Sequence, residues 1–327
     1  MSDRDRREPT KVLALCGGIG GAKLALGLYR ILEPDHLTVV INTGDDFAFL
    51  GLSVSPDIDT VTYTLAGISN EATGWGRDAE TWNCIANIEM LGGEAWFKLG
   101  DKDLAVHIER TRRLRAGETM TQVTADFAAR LGISARLLPM SDDPVRTMVR
   151  TPDRTLGFQE YFVKLQCGPA VTAIAFEGAQ AARPAFLQNL ADPDLDLVVI
   201  CPSNPYLSID PILALPGVRR TLEDCAVPVV AVSPIVGGQA VKGPTAKIMN
   251  ELGIAVTQSS IVRHYKGFID GIVVDEADSE EEMDHNVPVE SCKTLMKSMA
   301  DREALAKNVI AFGRRLAILG GKSEKGA

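Results

Sequence analysis

Cys16-Gly17-Gly18-Ile19-Gly20-Gly21-Ala22-Lys23 sets four glycines between an apolar run at 12–15 and an amphipathic run at 24–32. A buried strand that breaks into glycines and reopens as a helix brings backbone N–H groups to phosphate oxygens with no Cβ in the way, and the helix N-terminus faces the anion. Gly17, Gly18, Gly20 and Gly21 are therefore candidates for a diphosphate cradle. Lys23, a cation in the first helical turn, opposes the macrodipole and serves an anion better than it serves the helix. The spacing is not the dinucleotide fingerprint, which needs glycine or alanine at Lys23, nor Walker A, which needs a following Gly-Lys-Ser/Thr. A tight strand-to-helix turn without any ligand uses the same residues.

Acidic pairs follow the apolar runs. Asn42-Thr43-Gly44-Asp45-Asp46 comes after the run at 37–41, Ser55-Pro56-Asp57-Ile58-Asp59-Thr60 shortly afterwards, and Ser141-Asp142-Asp143 after the run at 135–138. Paired aspartates near a phosphate cradle suit Mg²⁺, a hard cation that takes oxygen ligands and bridges carboxylate to substrate phosphate. Asp45 and Asp46, with Asp57, are the candidate ligands. A turn former or helix N-cap is the ordinary role of any one of them, but clusters at successive strand ends are harder to dismiss. Ser203-Asn204-Pro205 and Ser233-Pro234 put hydroxyl and amide groups on proline-fixed backbone, a surface for a base or a ribose and equally a pair of caps. Lys98-Leu99-Gly100-Asp101 sets a cation beside a carboxylate. His107 and His264 are isolated in the sequence and receive no leading role.

These residues need a scaffold. Val/Ile/Leu-rich runs recur at 12–15, 37–41, 135–138, 171–175, 197–200, 227–232, 254–256 and 272–274, separated by helical stretches. Runs apolar on both faces with helices between them predict a mostly parallel sheet covered on each side, an α/β, Rossmann-like, doubly wound fold. Ligands in such sheets bind beyond the carboxyl ends of the strands, where the residues above fall. The gap between the second and third runs is too long for one crossover, so residues of about 60–131 are expected to form a helical insertion, a lid over the crevice. The α/β domain is expected to span 11–315, between flexible ends at 1–10 and 316–327. The acidic run 275–284 is expected to be a solvated loop.

The chain of 327 residues is 46% hydrophobic, enough for a sizeable core. A net charge of −9 argues against a general nucleic-acid binder, which needs a basic face. Its six cysteines form no CxxC pair, which disfavours a zinc knuckle or disulfide framework and favours buried thiols in a reducing compartment. No run approaches about 18 apolar residues and the first ten residues are polar, so neither membrane span nor signal peptide is expected, and the reading is cytoplasmic.

Taken in order, segments 17–23, 42–46, 55–61, 98–101, 138–144, 202–205 and 232–235 resemble the CofD family, the 2-phospho-L-lactate transferases of coenzyme F420 biosynthesis, called FbiA in actinobacteria. The resemblance runs from about residue 11 to 275. It implies transfer of a phospho-organic-acid group from a guanosine diphosphate ester to the ribityl hydroxyl of the deazaflavin Fo (7,8-didemethyl-8-hydroxy-5-deazariboflavin), with release of GMP, dependence on Mg²⁺ and a homodimer. Asp59 and Lys98 match the family's Fo-contact positions, and Asp59 is the candidate to orient the hydroxyl or accept its proton. Ser203, Asn204 and Ser233 are then expected to hold the guanosine. Phospholactyl, enolpyruvyl and glyceryl donors differ by few atoms, and no residue decides among them. Two other readings stand beside this one. A nonenzymatic nucleotide or sugar-phosphate binding regulator, of the gluconeogenesis-factor-like type, shares the glycine-rich start and the Ser-Asn-Pro loop. An NAD-dependent oxidoreductase is disfavoured by the missing fingerprint.

Overall fold

The structure is a computed structural model that describes residues 10–240, 243–279 and 287–319. The chain opens with β1 (Val12–Cys16), α1 (Gly18–Ile31) and β2 (Leu37–Ile41). A hairpin of β3 (Phe47–Phe49) and β4 (Leu52–Val54) leads into α2 (Pro56–Leu65), α3 (Asn83–Met90), α4 (Asp101–Arg115) and α5 (Met120–Arg130). After β5 (Arg136–Pro139) the chain makes a second excursion. It contains β6 (Arg146–Arg150), β7 (Thr155–Gly157), a π-helical turn Glu160–Lys164, β8 (Ala173–Glu177) and α6 (Leu187–Leu190). Then come β9 (Leu197–Ile200), a second π-helical turn Pro205–Ile209, α7 (Asp210–Leu213), α8 (Val218–Glu223) and β10 (Val229–Val232). The last third holds the two-residue strands β11 (Ile235–Val236) and β12 (Gln239–Ala240), then α9 (Thr245–Glu251), α10 (Gln258–His264), β13 (Gly271–Asp275), β14 (Val289–Cys292) and α11 (Met299–Leu319).

Seven strands form one sheet in the order β14-β13-β10-β9-β1-β2-β5, and every pairing in it is parallel. Its central strands are buried on both faces, as the unbroken apolar runs require. Val12 and Ala14 face one core, shared with α1 and α11, while Leu13 and Leu15 face another, shared with α8, α10 and the second excursion. The chain winds outward from β1 through β2 to β5, then returns to the other side of β1 at β9. The strand order reverses there, and this is the crevice where α/β sheets bind ligands.

Two of the eight apolar runs do not join this sheet. Residues 171–175 lead into β8, the edge of a three-stranded antiparallel sheet ordered β7-β6-β8, whose side chains are half-buried. Residues 254–256 connect α9 to α10, too short a stretch between Gly253 and Thr257 to cross the sheet. The edge strand β14 escaped the sequence pattern because its residues are only half-buried or exposed and carry no apolar run. Where the acidic run is described, it is not a solvated loop. Asp275 ends β13 and accepts from Thr294, while Asp278 is buried and accepts from the amides of Gly237 and Gly238. Residues 280–284 lie outside the described residues, as do 1–9 and 320–327, but Thr10 is buried and α11 carries the chain to Leu319 with Leu316 packed against the sheet. Among the described residues, no helix is long and apolar enough to cross a membrane.

Candidate active site

A cleft of about 510 Å³ lies at the carboxyl ends of the central strands. Its floor is the glycine turn after β1 (Gly17, Gly18, Gly20), with Asp45 after β2, Ser203 and Asn204 after β9, and Pro234 after β10. One wall comes from α2 and α4 (Asp57, Asp59, Tyr63, Asp103, His107) with Lys98 from the connection before α4, and the other from the second excursion (Phe158, Phe162). Both excursions thus contribute walls at the reversal point.

The glycines are forced by close approach. Gly18 has φ +63°, and a Cβ on Gly20 would run into the carbonyl oxygen of Pro202. A Cβ on Gly17 would sit 2.6 Å from an Asp57 oxygen. Part of the cradle is already spent internally. The Gly18 N–H donates to Asp57 Oδ1 at 2.8 Å and the Gly17 N–H to Ser203 Oγ at 3.2 Å, so Asp57 is the anion seated at the start of α1. Gly21 does not reach the cleft wall. Its Cα packs against Ser203 and Cys16, making it a helix-to-strand contact. Lys23 lines the cleft and donates to the Met296 carbonyl at 3.1 Å.

Asp45, Asp46 and Asp57 are buried close together. Asn42 Nδ2 donates to Asp57 Oδ2 at 2.9 Å, and the Ser55 hydroxyl donates to Asp46 Oδ2 at 2.9 Å. Burial pushes the Asp57 pKa up to about 6 despite these donors, and that of Asp46 up to about 7. Burial and then the Asp57 charge raise Asp45 well above the carboxylate range. Asp45 Oδ1, Asp46 Oδ1 and Thr43 Oγ1 are buried without hydrogen-bond partners. Asp45, repelled by Asp57 and Asp46 and carrying an orphaned oxygen, could share a hard cation with Asp57, but the three carboxylates do not bring one oxygen each within 4.8 Å of one another. Asp45 and Asp57 border the cleft, whereas Asp46 sits behind it.

Asp59 meets a partner that the sequence reading missed. Arg110, 1% exposed, donates from Nη1 to Asp59 Oδ2 at 3.1 Å and from Nη2 to Asp59 Oδ1. His107, also 1% exposed, lies between two carboxylates, with Nδ1 3.7 Å from Asp59 and Nε2 3.5 Å from Asp103. The Tyr63 hydroxyl donates to Asp103 Oδ1 at 2.6 Å. Burial works against the Asp103 charge, yet the contacts from His107 and Tyr63 hold its pKa below the usual value. Asp59, Asp103 and His107 are close enough to ligate a metal, but the Arg110 guanidinium already takes both Asp59 oxygens. The missed signal was legible: Asp103, His107 and Arg110 recur at i, i+4 and i+7, one polar stripe on one face of α4.

The rest of the wall is aromatic. Tyr63, Trp75, Phe97, Phe158 and Phe162 line it, the last two stacked with centroids 5.3 Å apart, and Lys98 stands among them. Such a surface suits a flat conjugated ring. Several candidates turn out to be caps. Asn204 lines the cleft, but its Oδ1 accepts from the amides of Tyr206 and Leu207. Ser233 Oγ accepts from Ile235 and does not reach the cleft, although Pro234 does. Asp101 and Asp142 accept amides at the starts of α3 and α5, and Asp143 accepts from Arg183. His264 pairs with Asp210 at 2.9 Å, outside the cleft.

The family model described as 2-phospho-L-lactate transferase CofD matches residues 12–312. The chain is 42% identical over 306 residues to a phosphoenolpyruvate transferase of Kitasatospora aureofaciens, covering 91% of this chain and 95% of that one. It is 37% identical over 305 residues to a 2-phospho-L-lactate transferase of Methanocaldococcus jannaschii, covering 92% and 97%. A solved structure from Bacillus halodurans, a member of the upf0052 family, superposes with a TM-score of 0.61 over 93% of this chain and 99% of its own at 14% identity, a likeness of fold. With a cleft at the strand-order reversal and a family match that spans nearly the whole sheet, the chain belongs to the CofD family of transferases.

Proposed function

We propose that this protein transfers a phospho-organic-acid group from a guanosine diphosphate ester to the ribityl hydroxyl of Fo, releasing GMP. The hydroxyl oxygen forms a bond to the phosphorus bearing the acid group, the bridging P–O bond breaks toward guanosine, and the hydroxyl loses its proton. The observation that carries this reading is the union, in one cleft, of a glycine turn, buried carboxylates and an aromatic wall bearing Lys98 and Asp59. The glycine turn and Ser203 would receive the diphosphate, with Asn204 near the guanosine. Asp45 and Asp57, backed by Asp46, would hold Mg²⁺, which neutralises diphosphate charge when bound. Tyr63, Trp75, Phe97 and Phe162 would sandwich the deazaflavin and exclude water from the reacting hydroxyl. Asp59 would orient that hydroxyl and take its proton, and Lys98 would neutralise the acidic ring. The relatives carry both phosphoenolpyruvate and 2-phospho-L-lactate in their names, so the donor is assigned only as a three-carbon phospho acid.

Fluorescence titration with Fo tests the acceptor half of this reading. Saturable binding is expected, weakened about 10- to 100-fold in Lys98→Ala, the span of one charge-assisted contact. A wild-type protein that binds guanosine nucleotides but not Fo would favour the nucleotide-binding regulator. An unaltered Fo affinity in the variant would remove Lys98 from the site.

A further inference from the structure

Arg110 cannot lose its proton, so its Nη1, 3.3 Å from His107 Nδ1, can only donate there. That contact puts the imidazole proton on Nε2, the buried nitrogen that lies 3.5 Å from Asp103 Oδ2 without a hydrogen-bond partner. Asp103 is fixed in turn by the Tyr63 hydroxyl, and the guanidinium also donates to both oxygens of Asp59 and, from Nη1 at 3.5 Å, to the Ser53 carbonyl. The contacts form one continuous chain, in which Tyr63 donates to Asp103, His107 Nε2 faces Asp103, and Arg110 donates both to His107 and to Asp59, and it joins α2 to α4. Its end members Tyr63 and Asp59 both line the cleft. A carboxylate held by a two-pronged donor keeps one orientation, and the donor keeps its own only while its far side is held.

We propose that His107 is a positioning residue for the transfer reaction: it fixes the Arg110 fork, which presents the Asp59 carboxylate to the acceptor hydroxyl. This rests on the transferase reading above. Because His107 acts through Arg110 rather than on the substrate, its loss changes turnover and spares acceptor binding. A misplacement of about 1 Å at the reacting group is enough to cost about a hundredfold.

The test compares His107→Leu, His107→Gln and Arg110→Lys with wild type in a GMP-release assay with Fo, and measures Fo affinity separately by fluorescence. His107→Leu should lower kcat about 10- to 100-fold with KM for Fo within about threefold. His107→Gln, which keeps an acceptor and an N–H, should recover most of the loss. Arg110→Lys, which keeps charge but not the fork, should match His107→Leu. If His107→Leu does not fold, Tyr63→Phe carries the test, since it removes only the hydroxyl holding Asp103 and should lower kcat several-fold. A kcat unchanged in the folded variant, or a loss confined to KM, overturns the positioning role while leaving the transferase reading in place. Wild type that binds Fo yet transfers nothing from any donor overturns the transferase reading and the positioning role together.

Discussion

Asp59→Asn is expected to lower turnover about 100- to 10,000-fold, the range for removing a group that takes or steers a proton in the transition state. The substitution keeps the volume and one acceptor for Arg110, so the α2–α4 contact survives and the loss reads on chemistry. Asp59→Ala is a harsher change. It leaves the Arg110 guanidinium buried and unpaired, and breaking a buried pair from one side costs about 3–5 kcal/mol. The two variants should separate on a thermal melt, with Asp59→Asn near wild type and Asp59→Ala clearly lower, while both lose turnover. Near-wild-type kcat in Asp59→Asn would remove the carboxylate from the reaction.

The second large effect concerns the buried carboxylates. In the metal-free protein the Asp57 pKa is raised to about 6 and that of Asp46 to about 7, and that of Asp45 is raised as well. A carboxylate whose folded pKa lies above its unfolded value binds more protons folded than unfolded. Its contribution to stability therefore falls as pH rises from about 4 to 7. A cation needs these groups deprotonated and repays the cost of charging them. Added Mg²⁺ should accordingly raise the melting temperature more at pH 8 than at pH 6, and half-saturating Mg²⁺ for GMP release should rise several-fold as pH falls from 8 to 6. In the double variant Asp45→Asn/Asp57→Asn the Mg²⁺-induced melting shift should vanish and the metal requirement should rise at least about tenfold. The same shift in wild type and double variant would place the cation elsewhere.

What the sequence could show was chemistry carried by neighbours along the chain. The glycine turn, the Asp45–Asp46 and Asp57–Asp59 pairs, Lys98 and Ser203 are each local patterns, and all but Asp46 and Gly21 come to the cleft. The parallel sheet was legible because strands buried on two faces leave unbroken apolar runs. Run length could not separate a core strand from the half-buried edge β8 or from the connection at 254–256. Asn204 and Ser233 show the converse problem: a side-chain oxygen at a strand end satisfies a backbone amide as readily as a ligand, and only the folded geometry reveals which amide is near. The Arg110–Asp59 pair joins residues 51 positions apart, beyond any local pattern, although the stripe on α4 marked one half of it. The second excursion was missed for a similar reason. Its aromatic contribution, Phe158 just before and Phe162 within a five-residue π-helical turn, carries no periodic signal.

The most direct measurement is to incubate the protein with Fo, Mg²⁺ and, in turn, the phospholactyl, enolpyruvyl and glyceryl esters of guanosine diphosphate, and to weigh the products by mass spectrometry. One donor should yield a phosphodiester of Fo carrying its three-carbon acid, with GMP formed in equal amount. Fo and donor both returned unchanged by a folded, Fo-binding protein would contradict the assignment of this cleft to phospho-acid transfer.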